Sequence, residues 1–139
     1  KIIENRDLQD NIKLLGYLKQ DDVKKYIKNA RFIVVPSIWY ENCPYSILET
    51  QAIGKPVIGA DIGGIPELVK DKENGLIYKY DSIDELETKM KLLFENQELA
   101  EQYGKKAKEY AEKFYSTETY YDKIIKIYEE VLKGKCNNG

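Results

Sequence analysis

Short apolar runs followed by stretches of helical periodicity set the strongest constraint on how this chain folds. The runs are "NIKLLGYL" at 11–18, "RFIVVPS" at 31–37, "KPVIGA" at 55–60 and "GLIYK" at 75–79, with helical patterns near 20–30, 45–53 and 66–70. This alternation is the rhythm of βαβ units. It predicts a Rossmann-like α/β domain with a parallel sheet of about four strands and crossover helices. The segments 32–35 and 57–58 are apolar without interruption, as expected of strands covered on both faces. From Ser82 the pattern is helix alone, over 82–95, 97–113 and 116–133, with Leu86, Met90, Leu93 and Phe94 at helical spacing, so helices close the domain. Ser82 and Glu85 have the Ser-x-x-Glu form of a capping box, Ser116 or Thr117 can cap the last helix, and Gly54 reads as a helix C-cap. Lys1 to Arg6 read as the end of a helix under way, with no initiator methionine. The chain is therefore expected to be a fragment of a larger protein, with a partial domain over 1–133 and a flexible tail over 134–139.

Length and charge exclude several classes. With 139 residues there is enough chain for one modest core, not for two lobes with a cleft between them. Positive and negative charges are interspersed and sum to −2, which argues against a dedicated nucleic-acid binder. No apolar run approaches the roughly 18 residues of a membrane span, and no signal-peptide pattern opens the chain. Without histidine, a His-based triad is excluded, and Cys43 and Cys136 form no metal spacing or disulfide framework. A cytoplasmic setting is expected, with peripheral contact at the inner face of a membrane as an added option. Lys24, Lys25 and Lys28 could make that contact, though a solvated helix face is the favoured reading of them.

In open parallel sheets ligands bind beyond the carboxyl ends of the strands, which directs attention to the loops after residues 16, 36, 60 and 79. Glu41 and Glu49 flank the second of these. Their spacing carries no information alone, since it recurs at Glu87/Glu95 and Glu101/Glu109 inside helices, where eight residues span about 12 Å. Context separates the first pair: Glu41 falls in a loop and Glu49 in the helix it feeds. If Pro44 is the first helical residue, the amides of Tyr45, Ser46 and Ile47 lack intrahelical partners and form an anion site suited to phosphate. Flanking carboxylates would then accept hydrogen bonds from hydroxyls, as in a sugar diphosphate. The bland alternative is an ordinary loop charge and a partly exposed helix residue. Trp39, Tyr40 and Tyr17 could stack on a base or sugar, but aromatics at strand ends more often belong to core or rim. Cys43 is expected to pack, having no base to activate it. Gly63 and Gly64 could admit a ligand or the other lobe, or make a tight turn opening a helix, and the turn is favoured.

The segment "PSIWYENCPYSILETQAIGKPVIGADIGGIPELVKDKENGLIY" resembles the donor-binding segment of family 4 glycosyltransferases, retaining enzymes of the GT-B fold. Pro-Ser, Glu, seven residues, Glu, then Ala-x-Gly-x-Pro-Val-Ile, Gly-Gly-x-Pro-Glu and Asn-Gly-Leu appear in order and in register. The resemblance runs from about residue 11 to about residue 133 and implies part of the C-terminal lobe. It implies that Glu41, the catalytic candidate, contacts donor-sugar hydroxyls near the reacting centre and that Glu49 binds the ribose. It also implies that Tyr45 and Ser46 offer amides to the diphosphate, while Gly16, Tyr17 and Leu18 lie against the nucleobase. Asn42, Cys43 and Pro44 stand where Gly-Phe-Gly is usual, and Pro44 cannot make the glycine's N–H contact to the sugar. Other members carry a similar Asn-x-Pro, so the change is expected to tune sugar choice.

The implied activity is transfer of a sugar from a nucleotide-sugar donor to an acceptor sugar or lipid-linked sugar, with retention and without a cofactor or metal. The absence of an Asp-x-Asp pair agrees with the last point. The family's basic pair, which neutralises the leaving diphosphate, and its acceptor lobe would lie before Lys1. The fragment alone is thus expected to bind donor weakly and not to turn over. Two rivals are a non-catalytic nucleotide-sugar-binding module and a sugar-nucleotide epimerase of the same architecture, which usually relies on histidine.

Overall fold

In the computed structural model, residues 2–136 are described, with side chains over 3–134. The elements run α1 (Ile2–Asn5), α2 (Gln20–Asn29), β1 (Ile33–Val35), α3 (Tyr45–Ile53), β2 (Val57–Ala60), α4 (Ile65–Leu68), β3 (Gly75–Tyr78), α5 (Ile83–Glu95), α6 (Gln97–Tyr115) and α7 (Thr117–Cys136). The three strands form one parallel sheet in the order β1-β2-β3, with Val34 opposite Ile58 and Ile58 opposite Leu76. This is the expected α/β architecture. The last helix reaches Cys136; the remainder of the expected tail, 137–139, lies outside the described residues.

The fourth strand is missing. Residues 12–19 hold no strand, and Leu14 and Tyr17 are exposed by 82% and 96%. A strand requires a neighbour for its backbone groups, and none lies alongside this segment. The same physics marks β1: among the described residues no segment bonds to its outer edge, whereas β3 is flanked by Asp71, which accepts from the Ile77 N–H, and by a bridge from Asp71 to Gly75.

Central β2 is buried along its whole length, and the core gathers around it from Ile47, Ile58, Ile65, Leu76 and Leu93, all fully buried. Burying each such side chain contributes roughly 1.5–3 kcal/mol. Of the apolar positions expected on the first closing helix, Leu93 is buried and Leu86 partly so, while Met90 and Phe94 line an open groove with Phe32 and Ile83. Small residues Ala107 and Ala111 on α6 are buried, and α6 packs against α3.

The caps follow the sequence. Gly54 adopts φ 84° and ends α3, its N–H donating to the Gln51 carbonyl while Lys55 N–H reaches Thr50. Ser82 Oγ accepts from the Glu85 N–H at 3.2 Å, but the Glu85 carboxylate turns to the Lys79 N–H instead of closing a reciprocal box. Ser116 caps α7 through the Thr119 N–H.

Buried Asn74 ties the turn between α4 and β3: its Oδ1 accepts from the Lys70 N–H at 2.7 Å and its Nδ2 donates to the Leu68 carbonyl at 3.2 Å. Asn74→Ala strips both bonds, and we expect a loss of about 2 kcal/mol, a fall in Tm of roughly 5–10 °C. Calorimetry checks this; an unchanged Tm would show the turn holds without it.

Candidate functional site

Beyond the carboxyl end of β1, residues 36–44 form a loop that leads into α3. Nearly every side chain from Ile38 to Cys43 is exposed, Trp39 by 67% and Tyr40 by 86%, so of the expected places, core or rim, the core is excluded for these aromatics, as it is for Tyr17. Cys43, expected to pack, is an exposed free thiol. Glu41 is the half-buried member of the stretch, accepting a hydrogen bond from Ser37 Oγ at 3.2 Å.

Pro44 is the N-cap of α3 and not its first helical residue, with φ −69° and ψ 109°. Its ring is buried, and its carbonyl takes up the Ile47 N–H at 3.0 Å. The expected set of three free amides is therefore corrected to two. The N–H groups of Tyr45 and Ser46 donate to no acceptor among the described residues, and no side chain caps the helix. These two amides, at the positive end of the nine-residue α3, are free hydrogen-bond donors in an electropositive setting.

Glu49 lies in the second turn of α3 and is half-buried, its Oε1 accepting from Gln20 Nε2 at 3.1 Å. Gln20 opens α2 directly after the loop holding Gly16, Tyr17 and Leu18, so this bond ties that loop's exit to α3. Gly16 has φ 63° and is exposed with Tyr17, while Leu18 is half-buried. No hydrogen bond joins Glu41 to Glu49; each carboxylate has its own holder, one before and one after the free amides along the chain.

Sequence reasoning missed Gln20, which no motif signals, and the use made of Gly63 and Gly64. The glycines do form the expected turn ahead of α4, but Gly64 N–H also donates to the Glu41 carbonyl at 2.7 Å. From the far side, Tyr115 at the end of α6 faces the loop. Its phenol is pushed up to about 12, chiefly by burial and then by Tyr110, Cys43 and Glu67, and stays protonated at neutral pH. A separate cavity of about 250 Å³, near Arg31, Lys55 and Pro56, lies at the amino ends of the strands, away from these groups. Among the described residues no three Asp, Glu, Cys or His side chains gather as metal ligands.

Residues 1–110 match the family described as glycosyl transferases, group 1. The chain belongs to this family. It is 36% identical over 134 residues to an uncharacterized glycosyltransferase of Methanocaldococcus jannaschii, covering 94% of this chain and 38% of that one. The C-terminal domain of a group 1 glycosyl transferase family protein from Francisella tularensis superposes with TM-score 0.75 at 20% identity, over 84% of this chain and 60% of that one. Staphylococcus aureus TarM, solved as a mutant with fondaparinux, α-GlcNAc-glycerol and UDP, gives TM-score 0.80 at 29% identity, over 90% of this chain and 25% of that one. The likeness fixes the fold as that of the C-terminal lobe of GT-B glycosyltransferases, as expected. This group 1 chain spans about a third of the length of the curated relative from M. jannaschii. No helix among its described residues is long and apolar enough to cross a membrane.

Proposed function

We propose that this chain is the donor-binding part of a retaining, hexosyl-type glycosyltransferase. The observation that carries the reading is the pair of unpartnered amides at Tyr45 and Ser46, set beyond the carboxyl end of a parallel strand and bracketed by two half-buried carboxylates. Amides with no acceptor, at the positive end of a helix, suit a diphosphate. A carboxylate accepts hydrogen bonds only, so Glu41 and Glu49 match hydroxyl groups on either side of that diphosphate. In this reading Glu49 takes the ribose, Glu41 takes the donor sugar, and Gly16, Tyr17 and Leu18 face the base.

During transfer the bond from the anomeric carbon to the diphosphate oxygen breaks, and the acceptor hydroxyl oxygen bonds to that carbon on the same face while its proton passes to the departing diphosphate. The α3 amides meet part of the charge left on the diphosphate, and a basic pair supplied by the rest of the protein meets the remainder, with no resident metal. Asn42, Cys43 and Pro44 border the sugar, where Pro44 offers no N–H. The acceptor, a sugar or a lipid-linked sugar, binds on the other lobe. Cytoplasmic residence follows from a nucleotide-sugar donor, and a peripheral membrane contact would suit a lipid-linked acceptor.

The test is thermal shift of the intact protein with UDP-glucose, UDP-N-acetylglucosamine and GDP-mannose. At a hundredfold excess over Kd a true donor adds about 2.7 kcal/mol of stability. A flat Tm for all three at millimolar concentration would sink the reading.

A further inference from the structure

The loop that carries Glu41 has little of its own to hold it. From Ile38 to Cys43 its side chains are exposed apart from Glu41, so no apolar anchor docks this stretch onto the core. Its backbone instead rests on the turn after β2. The Gly64 N–H donates to the Glu41 carbonyl at 2.7 Å. A β-carbon on Gly64 would lie 2.0 Å from the Asn42 carbonyl oxygen, and one on Gly63 would lie 2.5 Å from the Glu41 carbonyl oxygen and 2.8 Å from its nitrogen. Backbone meets backbone here, so no flexible side chain can swing away to make room. Gly63 also holds φ +59°, a conformation that penalises any other residue.

The seat itself is rigid. Ala60, Ile62 and Ile65 are buried, and the Asp61 N–H is fixed to the Tyr78 carbonyl at 2.8 Å. Glu49, in contrast, is positioned by α3, whose buried Ile47, Thr50 and Gln51 secure it independently of this contact. The two carboxylates are thus held by separate parts of the fold.

We infer that Gly63 and Gly64 are positioning residues that set the location of Glu41 without setting that of Glu49, so that the sugar end of the donor site can be disturbed while the nucleotide end is left intact. The inference rests on the role proposed above for Glu41. A methyl group on Gly64 must push the 40–42 backbone outward by more than 1 Å to regain normal contact, and a displacement of that size costs on the order of a hundredfold in rate.

The test uses Gly64→Ala in the intact protein, with Gly134→Ala as control, since a β-carbon at Gly134 meets nothing within 4 Å. Hydrogen exchange is read at the residue-64 amide and over 45–53, alongside steady-state transfer from whichever of UDP-glucose, UDP-N-acetylglucosamine or GDP-mannose the wild type uses. Exchange of the residue-64 amide, which donates to the Glu41 carbonyl in the wild type, should rise at least tenfold with 45–53 unchanged, and kcat should fall about a hundredfold with donor KM within about threefold. Unchanged exchange of the residue-64 amide would overturn the inference. So would intact kcat in Gly64→Ala if Glu41→Gln abolishes transfer; if Glu41→Gln also leaves transfer intact, the role of Glu41 is what fails, and the exchange data still decide the positioning. Should Gly64→Ala not fold, the wild type decides: its Gly64 amide should exchange at least a hundredfold more slowly than in an unstructured peptide, and free exchange would refute the seat.

Discussion

Glu41→Gln in the intact protein is expected to lower kcat by about 10²–10³-fold, a loss of roughly 3–4 kcal/mol of transition-state stabilisation, with the nucleoside diphosphate still bound. Glutamine keeps the size of the side chain and an oxygen to accept the Ser37 hydroxyl, which bonds Oε1 at 3.2 Å. In the role proposed for Glu41, what is removed is the negative charge that would face the sugar as positive charge develops at its anomeric carbon. Because Glu41 is only half-buried and its backbone is held by Gly64, folding stability should move by no more than about 0.5 kcal/mol. Steady-state kinetics and a melting curve on one preparation settle it. Undiminished kcat would mean that Glu41 is an ordinary loop charge, and the binding-module alternative would take precedence.

Glu49→Ala should act on the other half of the donor. A carboxylate that accepts from two ribose hydroxyls contributes about 1.5–3 kcal/mol per bond. Truncation therefore raises the Kd for the free nucleoside diphosphate by on the order of 10²–10⁴-fold, and kcat at saturating donor falls much less. Helix α3 keeps its register because Ile47, Thr50 and Gln51 anchor it, with Gln51 Nε2 bonded to the Leu68 carbonyl at 2.9 Å. The mutation also frees the exposed Gln20 side chain, a surface loss of little consequence. Calorimetric titration reads the effect directly, and an unaltered Kd would remove Glu49 from the nucleotide site.

The parts of the fold legible in the sequence are those fixed by local chemistry. Continuous apolar runs gave β1 and β2, period and caps gave α2, α3, α5 and α6 to within a residue or two, and Gly54 ended α3 as a left-handed glycine must. "NIKLLGYL" reads as locally as these, yet a strand is a relation between two segments and its other member is not in the run. The same limit applied at the site. Pro44 was legible as a helix start, but whether it sits at the cap or one residue inside depends on its ψ, which the ring does not fix. Gly63 and Gly64 were legible as a turn because turns are local; their contact with Glu41, more than twenty residues away, follows from how β1 and β2 align. Glu41 and Glu49 stood out from other equally spaced glutamates only through the loop-to-helix context around them.

The open flank of β1 bears on how this polypeptide behaves in a test tube. A row of unsatisfied backbone groups beside Phe32, Ile83, Met90 and Phe94 offers another molecule both a hydrogen-bonding template and a greasy patch. A net charge of −2 supplies little mutual repulsion to oppose that meeting. Purified alone, the chain is expected to associate first through this three-residue strand, and lysine placed along that edge is the remedy its own physics suggests.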